Sequence, residues 1–301
     1  MLGTVQSERL HLGAQVAGLS ALGFSSVDDL FSRAAPAASG TESPDDAGRS
    51  RLRLLLPGTP LEASGPLSTR RGGPGGVGTG WIRIERWRAS PWRALLAARF
   101  TPPRSVSLAE RFWNLYCHLR AHGVGTPEPL AVGTLGRGLV ARAGFLVTRE
   151  LEGFEALPSW LLREREPALR ARGWRALALA FTRLRGARVF LPRIERAHVF
   201  LSPEEESPAA RSAREAPVPG RMTQNRLPSV AIADVSGGSI RPRLTEGEIA
   251  LMLGRLLGEP GGKAEGAASP REVARFLAGA LEGLERSRAR TIARRALGGP
   301  R

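Results

Sequence analysis

The sequence predicts an α+β fold whose first part is rich in strands and whose second part is rich in helices. Three observations lead there. Alternating or apolar runs bounded by turn residues cluster before residue 100. After residue 107, apolar residues recur mainly at helical spacing, with short strand-like pieces between them. The chain has 301 residues, 42% of them hydrophobic, which suffices for one large domain or two lobes with a real core.

Residues 1–34 read as short helical pieces, and 1–19 receive no domain assignment. Residues 35–50 (AAPAASGTESPDDAGR) are small and polar and read as a flexible linker. Residues 51–56 form a strand candidate. Residues 57–80 are turn-rich and flexible and end in RRGGPGGVGTG. Two further strand candidates follow, 81–87 around Ile82 and Ile84, and 92–100.

Ser107 and Glu110 then fit a capping box, and Leu108, Phe112, Leu115 and Leu119 repeat at helical spacing. Gly123 ends that helix, and Thr126-Pro127-Glu128-Pro129 blocks its continuation. Residues 130–134 and 144–149 read as strands. A helix is expected over 159–185, its apolar stripe being Leu169, Trp174, Leu177, Phe181 and Leu184. Short strand-like pieces lie at 188–191, 198–201 and 230–234, with a polar insertion at 204–226 that reads as a mobile loop. Thr245 and Glu248 cap a helix to Leu257. A flexible Gly-rich segment, 258–268, precedes the last helix, which starts at Ser269, Pro270 and Glu272. Its buried side is Val273, Phe276, Leu277, Leu281 and Leu284.

Composition narrows the function classes. The single cysteine, Cys117, excludes an internal disulfide and any Cys-rich metal site, and it suits a reducing compartment. No basic-then-apolar leader opens the chain, and no run of 18 apolar residues exists, so neither a signal peptide nor a transmembrane helix is expected. The net charge of +16 favours anionic partners. Yet Lys263 is the only lysine, and the arginines are spread along the chain, which equally fits codon-driven drift. A nucleic-acid-binding role would rest on charge alone. His118 and His122 share a helix face, but no third metal ligand is evident. No G-x-S-x-G elbow occurs, and without a second lysine there is no P-loop.

Four phrases, in order and at sensible spacing, resemble the Kdo/heptose lipopolysaccharide-kinase family, a relative of protein kinases. NLYCHLRAHGVGTPEPLAVG (114–133) resembles its αC helix and following strand, and FLVTRELEG (145–153) its next strand and hinge. VAIADVSGGSI (230–240) resembles its metal-binding strand and turn, and RFLAGAL (275–281) its C-terminal helix. The resemblance covers roughly residues 20–297. It implies a bilobal protein-kinase-like fold, with a sheet-rich N-lobe at 20–150 and a helical C-lobe at 151–297. It also implies ATP and Mg²⁺ as cofactors and phosphoryl transfer to a sugar hydroxyl of a glycolipid, in the cytoplasm or at the inner membrane face.

Such an enzyme needs a Gly-rich loop, a strand Lys paired to an αC Glu, a catalytic Asp and metal ligands. Gly75, Gly76, Gly78 and Gly80 offer backbone N–H groups to phosphates, or simply make a linker. The expected strand Lys falls at Ala98, with Arg99 beside it, and the αC Glu falls at Glu110 or Arg111. Glu150 and Leu151 take the hinge positions. In LRGARVFLPRIERAHVFL (184–201), His198 takes the metal-ligand position, Arg193 stands where the catalytic Asp belongs, and Leu191-Pro192 replace His-Arg. Glu195 is the nearest carboxylate. Asp234 matches the second metal ligand, or starts a turn before Gly237-Gly238. The expectation is a degenerate kinase serving as pseudokinase or scaffold, with ATP and Mg²⁺ binding weak or lost and an anionic glycolipid or a protein as partner. An active, atypical kinase using Arg99 and Glu195 is the alternative.

Overall fold

The computed structural model describes residues 7–12, 49–56, 80–87, 96, 99–105, 107–137, 140–202, 227–258 and 268–298. They divide into two compact units, one of residues 1–117 and 127–152, the other of residues 118–126 and 153–301.

The first unit holds β1 (Ser7–Leu12), β2 (Arg49–Leu56), β3 (Gly80–Trp87), β4 (Glu128–Arg137) and β5 (Val140–Arg149), and most of α1 (Leu108–Ala121). The strands form one antiparallel sheet in the order β1-β4-β5-β3-β2. Period-two alternation gives the sheet two chemically distinct faces. On one face Trp87 stacks on Phe112 of α1 at 5.2 Å between ring centroids. Its cross-strand partner Gly144 lies so close to α1 that an added Cβ would meet the Ala109 Cβ at 2.9 Å. Glycine here lets the helix seat on the sheet. On β4, Gly133 leaves room for the Phe145 ring, which any Cβ would overlap.

Helix α1 starts where Ser107 Oγ accepts the Glu110 N–H at 3.1 Å. It buries Ala109, Phe112, Leu115, Tyr116 and Leu119. It stops at Gly123, whose φ of 71° is open to glycine at little cost.

The second unit contains β6 (Glu155–Ala156), α2 (Leu157–Arg163), α3 (Pro167–Gly186), β7 (Val189–Phe190), β8 (Val199–Leu201), β9 (Val230–Ile232) and β10 (Ser239–Ile240). Three helices complete it, α4 (Glu246–Leu257), α5 (Pro270–Ala280) and α6 (Arg286–Ala296). The short strands pair as β6-β8-β9 and β10-β7. Trp174 and Phe181 of α3 pack on Phe276 of α5, with ring centroids 5.6 and 6.3 Å apart. Between the same two helices Arg170 meets Glu272 in a two-pronged ion pair at 2.6 and 3.1 Å. Glu272 also closes the α5 capping box with Ser269.

Four sequence expectations need correction. Residues 7–12 are a strand and not part of a helical piece. Leu96, Arg99 and Phe100 are helical where a strand is expected over 92–100, whose other residues lie outside the described ones. Its Ala-rich composition favours helix, and alternation of the WIRIERW kind is absent there. The single helix expected over 159–185 is two, because Pro167 cannot donate to an earlier turn and instead opens α3. The last helix likewise divides into α5 and α6 at Gly283, φ 78°. The capping boxes of α4 and α5 are as the sequence predicts. Of the expected flexible stretches 35–50, 57–80, 204–226 and 258–268, residues 35–48, 57–79, 204–226 and 259–267 lie outside the described ones, while Arg49 and Ser50 belong to β2 and Gly80 to β3.

Burial alone would raise the Glu272 pKa, but hydrogen bonds from Arg170 and Ser269 outweigh it and hold it down to about 2 against an ordinary 4.5. A depressed carboxylate stabilises the folded state above its unfolded pKa, and that stability is lost as pH falls through the folded pKa. Glu272→Gln should therefore cost about 3 kcal/mol at neutral pH. Urea midpoints should fall between pH 4.5 and pH 2 in the wild type and vary less in the variant.

Candidate functional site

The second unit builds its polar centre from two short strands. β8 and β9 run antiparallel with Val199 opposite Ile232, Phe200 opposite Ala231 and Leu201 opposite Val230. A further bond, Ala233 N–H to the His198 carbonyl at 2.8 Å, extends the ladder. Val199, Leu201 and Ile232 share one buried face and lock the register, since a one-residue slip would turn them to the other face. His198, just before β8, and Asp234, just after β9, are thereby set side by side, Nε2 and Oδ2 being 3.8 Å apart.

Each partner is oriented from behind. His198 Nδ1 lies 3.1 Å from the Arg193 carbonyl, which requires Nδ1 to carry the proton and donate. Asp234 Oδ1 accepts from the Ser236 backbone N–H at 2.8 Å and from the Ser236 hydroxyl. That is both a turn motif and a means of fixing the carboxylate, so the two sequence readings of Asp234 are compatible. Oδ2 is left facing Nε2. With Nδ1 protonated, a neutral ring would aim a lone pair at a carboxylate, and a proton or a cation between them removes that repulsion.

The loop before His198 carries no acid that points at this pair. Leu191 is buried, its N–H directed at Met252 Sδ at 3.3 Å, and Ile194 is buried beside it. Pro192 abuts the turn at Gly237, where an added Cβ would sit 3.3 Å from Pro192 Cγ. Arg193, at the position expected for the catalytic Asp, is exposed. The Glu195 side chain is 56% exposed and lies 3.5 Å from Arg255. It cannot replace an inward catalytic carboxylate in this arrangement.

The donor set suits a weakly held divalent ion. Among the described residues no group of three or more His, Cys, Asp or Glu side chains gathers. Two donors fit Mg²⁺, which keeps waters and takes further ligands from phosphates, and the imidazole extends the choice to softer divalent ions.

The first-unit candidates fare differently. Gly75, Gly76, Gly78 and Ala98 lie outside the described residues, and Gly80 is the first residue of β3. Arg99 is exposed and helical and so is not a strand cation. The last strand before α1 is instead β3, whose α1-facing side presents Arg83, Glu85 and Trp87 and no lysine. Arg83 lies 3.7 Å from Glu150, the expected hinge residue, and Leu151 is half-buried beside it. Sequence reasoning missed Arg83 and Glu85, although the strict alternation of WIRIERW marked this strand out. On α1, the Glu110 backbone N–H donates to Ser107 Oγ, while Arg111 is buried and donates from Nη1 to the Thr101 carbonyl at 2.8 Å.

His118 on α1 and His122 just after it serve the backbone. His118 Nε2 lies 2.9 Å from the Ala187 carbonyl, and His122 Nδ1 lies 2.9 Å from the His118 carbonyl.

The family model described as "Lipopolysaccharide kinase (Kdo/WaaP) family" matches residues 64–212, which include α1, the hinge segment and the loop carrying Arg193 and His198. The chain belongs to this family. A solved structure of WaaP in complex with acyl carrier protein matches with a TM-score of 0.58 and 17% sequence identity, over 96% of this chain and 98% of that one. The fold is thus the kinase-like fold of WaaP, of mixed α+β class. No curated protein matches the chain.

Removing one of two donors should weaken divalent binding at least tenfold. Mn²⁺ titration followed by water proton relaxation should show Asp234→Ala and His198→Ala each losing affinity, while Glu195→Ala binds as the wild type does.

Proposed function

We propose that the protein is a degenerate lipopolysaccharide-kinase homologue that acts as a pseudokinase or scaffold. The observation that carries this reading is the loop before His198: the residue five positions before the metal-ligand candidate is an exposed arginine, and the nearest carboxylate, Glu195, turns outward to Arg255. A catalytic Asp in this fold orients and deprotonates the acceptor hydroxyl. Loss of a positioned general base costs roughly 10²–10⁴ in rate. No lysine stands on β3 to hold phosphate, and Lys263 is the only one in the chain. Arg83, the cation on the α1-facing side of that strand, is drawn to Glu150.

His198 and Asp234 would hold a divalent ion weakly, and that ion, when bound, would neutralise phosphate charge. His198 would present Nε2 with its proton kept on Nδ1 by the Arg193 carbonyl. Asp234 would present Oδ2 with Oδ1 occupied by Ser236. ATP binding is correspondingly weak or lost. The helical, exposed position of Arg99 and the exposed Glu195 beside Arg255 favour this reading over an active kinase built on those two residues.

A scaffold needs a partner. WaaP is solved in complex with acyl carrier protein. We extend to this chain a protein partner, together with an anionic glycolipid as surface or ligand, in the cytoplasm or at the inner face of the membrane. No described helix is long and apolar enough to cross a membrane.

A thermal-shift titration with ATP, with and without Mg²⁺, tests the nucleotide arm of this reading. The expected result is no Mg²⁺-dependent rise in melting temperature at millimolar ATP, in wild type and Asp234→Ala alike. A rise that the substitution removes would demonstrate a working nucleotide site and overturn it.

A further inference from the structure

Helix α6, sequence RSRARTIARRA, places five arginines in eleven positions, and its packing sorts them. Ile292 and Ala296 are buried against α4, where Gly254 allows the Ala296 carbonyl to come so near that an added Cβ would meet it at 3.0 Å. Arg288 and Arg295 reach back to the two carboxylate oxygens of Glu246, at 3.1 and 4.0 Å. These contacts fix the roll of the helix. Arg286, Arg290 and Arg294 are left exposed, and no ion pair among the described residues engages them. At four-residue spacing they stand in a row, about 6 Å apart along the axis. Ser287 and Thr291 flank the row, and Leu297, at the C-terminal end of the helix, is the one exposed large apolar side chain beside it.

A further cation stands near Arg288, on the packed side of the helix. Arg185, near the end of α3, is anchored by the Ala280 carbonyl at 3.2 Å and the Glu282 carbonyl at 2.6 Å. Its pKa is lowered by burial and then by the charge of Arg288. The fold thus holds positive groups together against their mutual repulsion, an arrangement that a bound anion relieves.

We propose that the outward face of α6 docks on the headgroup layer of an anionic lipid bilayer. A protein interface of useful affinity needs a cluster of aromatic or apolar anchors, and this face offers only Leu297. A plane of phosphates needs only charge and the planar guanidinium fork. Contact stays at headgroup depth, because no apolar stripe is available to insert. The proposal rests on the reading of the protein as a member of a glycolipid-directed family, but not on whether it binds nucleotide.

Co-sedimentation of the full chain with vesicles tests it, using phosphatidylcholine alone and phosphatidylcholine mixed with phosphatidylglycerol. Wild type should bind only the mixed vesicles, and added salt should release it. The triple variant R286Q/R290Q/R294Q should lose roughly a hundredfold in partition, given the contribution of each basic residue near such a surface. R290Q/R294Q should fall between, and both variants should keep the wild-type unfolding midpoint because the altered side chains are exposed. R271Q/R275Q, which removes two exposed arginines of α5, controls for bulk charge and should bind nearly as wild type does. Equal loss in that control, unchanged binding by the triple variant, or no vesicle binding by the wild type would overturn the proposal. The nucleotide titration would stand unaffected by any of these results.

Discussion

Val199 and Ile232 face each other across a ladder of only three residue pairs, and that ladder sets His198 beside Asp234. The strands are too short to persist alone, so their pairing depends on what surrounds them. Val199 and Leu201 are buried on β8, Ala231 and Ile232 on β9. The isolated bridge from Gly125 to Ala231 holds the outer side of β9, and an added Cβ at Gly125 would overlap the Val230 carbonyl. The chemistry of this pair follows from the register: the 3.8 Å approach of imidazole and carboxylate, the tautomer set by the Arg193 carbonyl, and the hold of Ser236 on Asp234 Oδ1.

The same loop that delivers His198 explains why so little chemistry remains around it. Leu191 and Ile194 are core residues, pinned by Met252 and their own burial, so the loop can expose only Pro192, Arg193 and Glu195. A catalytic acid would have to occupy one of those positions and face the His198–Asp234 pair. Arg193 carries the wrong charge, and Glu195 is committed to Arg255 at the surface. In the proposed reading the family's scaffold is kept, with two ligand-type side chains, His198 and Asp234, left at the candidate centre. An ion pair such as Arg170–Glu272, by contrast, joins α3 to α5 far along the sequence and supports the packing of Trp174, Phe181 and Phe276.

Much of this was legible in the residues themselves. The caps at Ser107, Thr245 and Ser269, the stop at Gly123 and the pieces at 188–191, 198–201 and 230–234 all follow from local chemistry, and local chemistry is what a sequence displays. The His198 and Asp234 positions came from resemblance, and the sequence could not show that they lie together, because their proximity depends on a pairing across 36 positions of chain. The misplaced first-unit site has one cause. Residues 92–100 were assigned strand from apolar content, although Ala-rich runs favour helix, and this displaced the strand before α1 from β3. That displacement hid Arg83 and Glu85, which only the cross-strand register and the stacking of Trp87 on Phe112 place on the helix-facing side.

The central claim is that the kinase-like fold persists without phosphoryl transfer. It is tested most directly by following the γ-phosphate of ATP into a lipid-linked saccharide under single-turnover conditions, with wild type and Asp234→Ala in parallel. The account predicts no transfer above background in either protein. Transfer by the wild type that Asp234→Ala abolishes would contradict it, and would mean that a base other than Glu195 serves the acceptor hydroxyl.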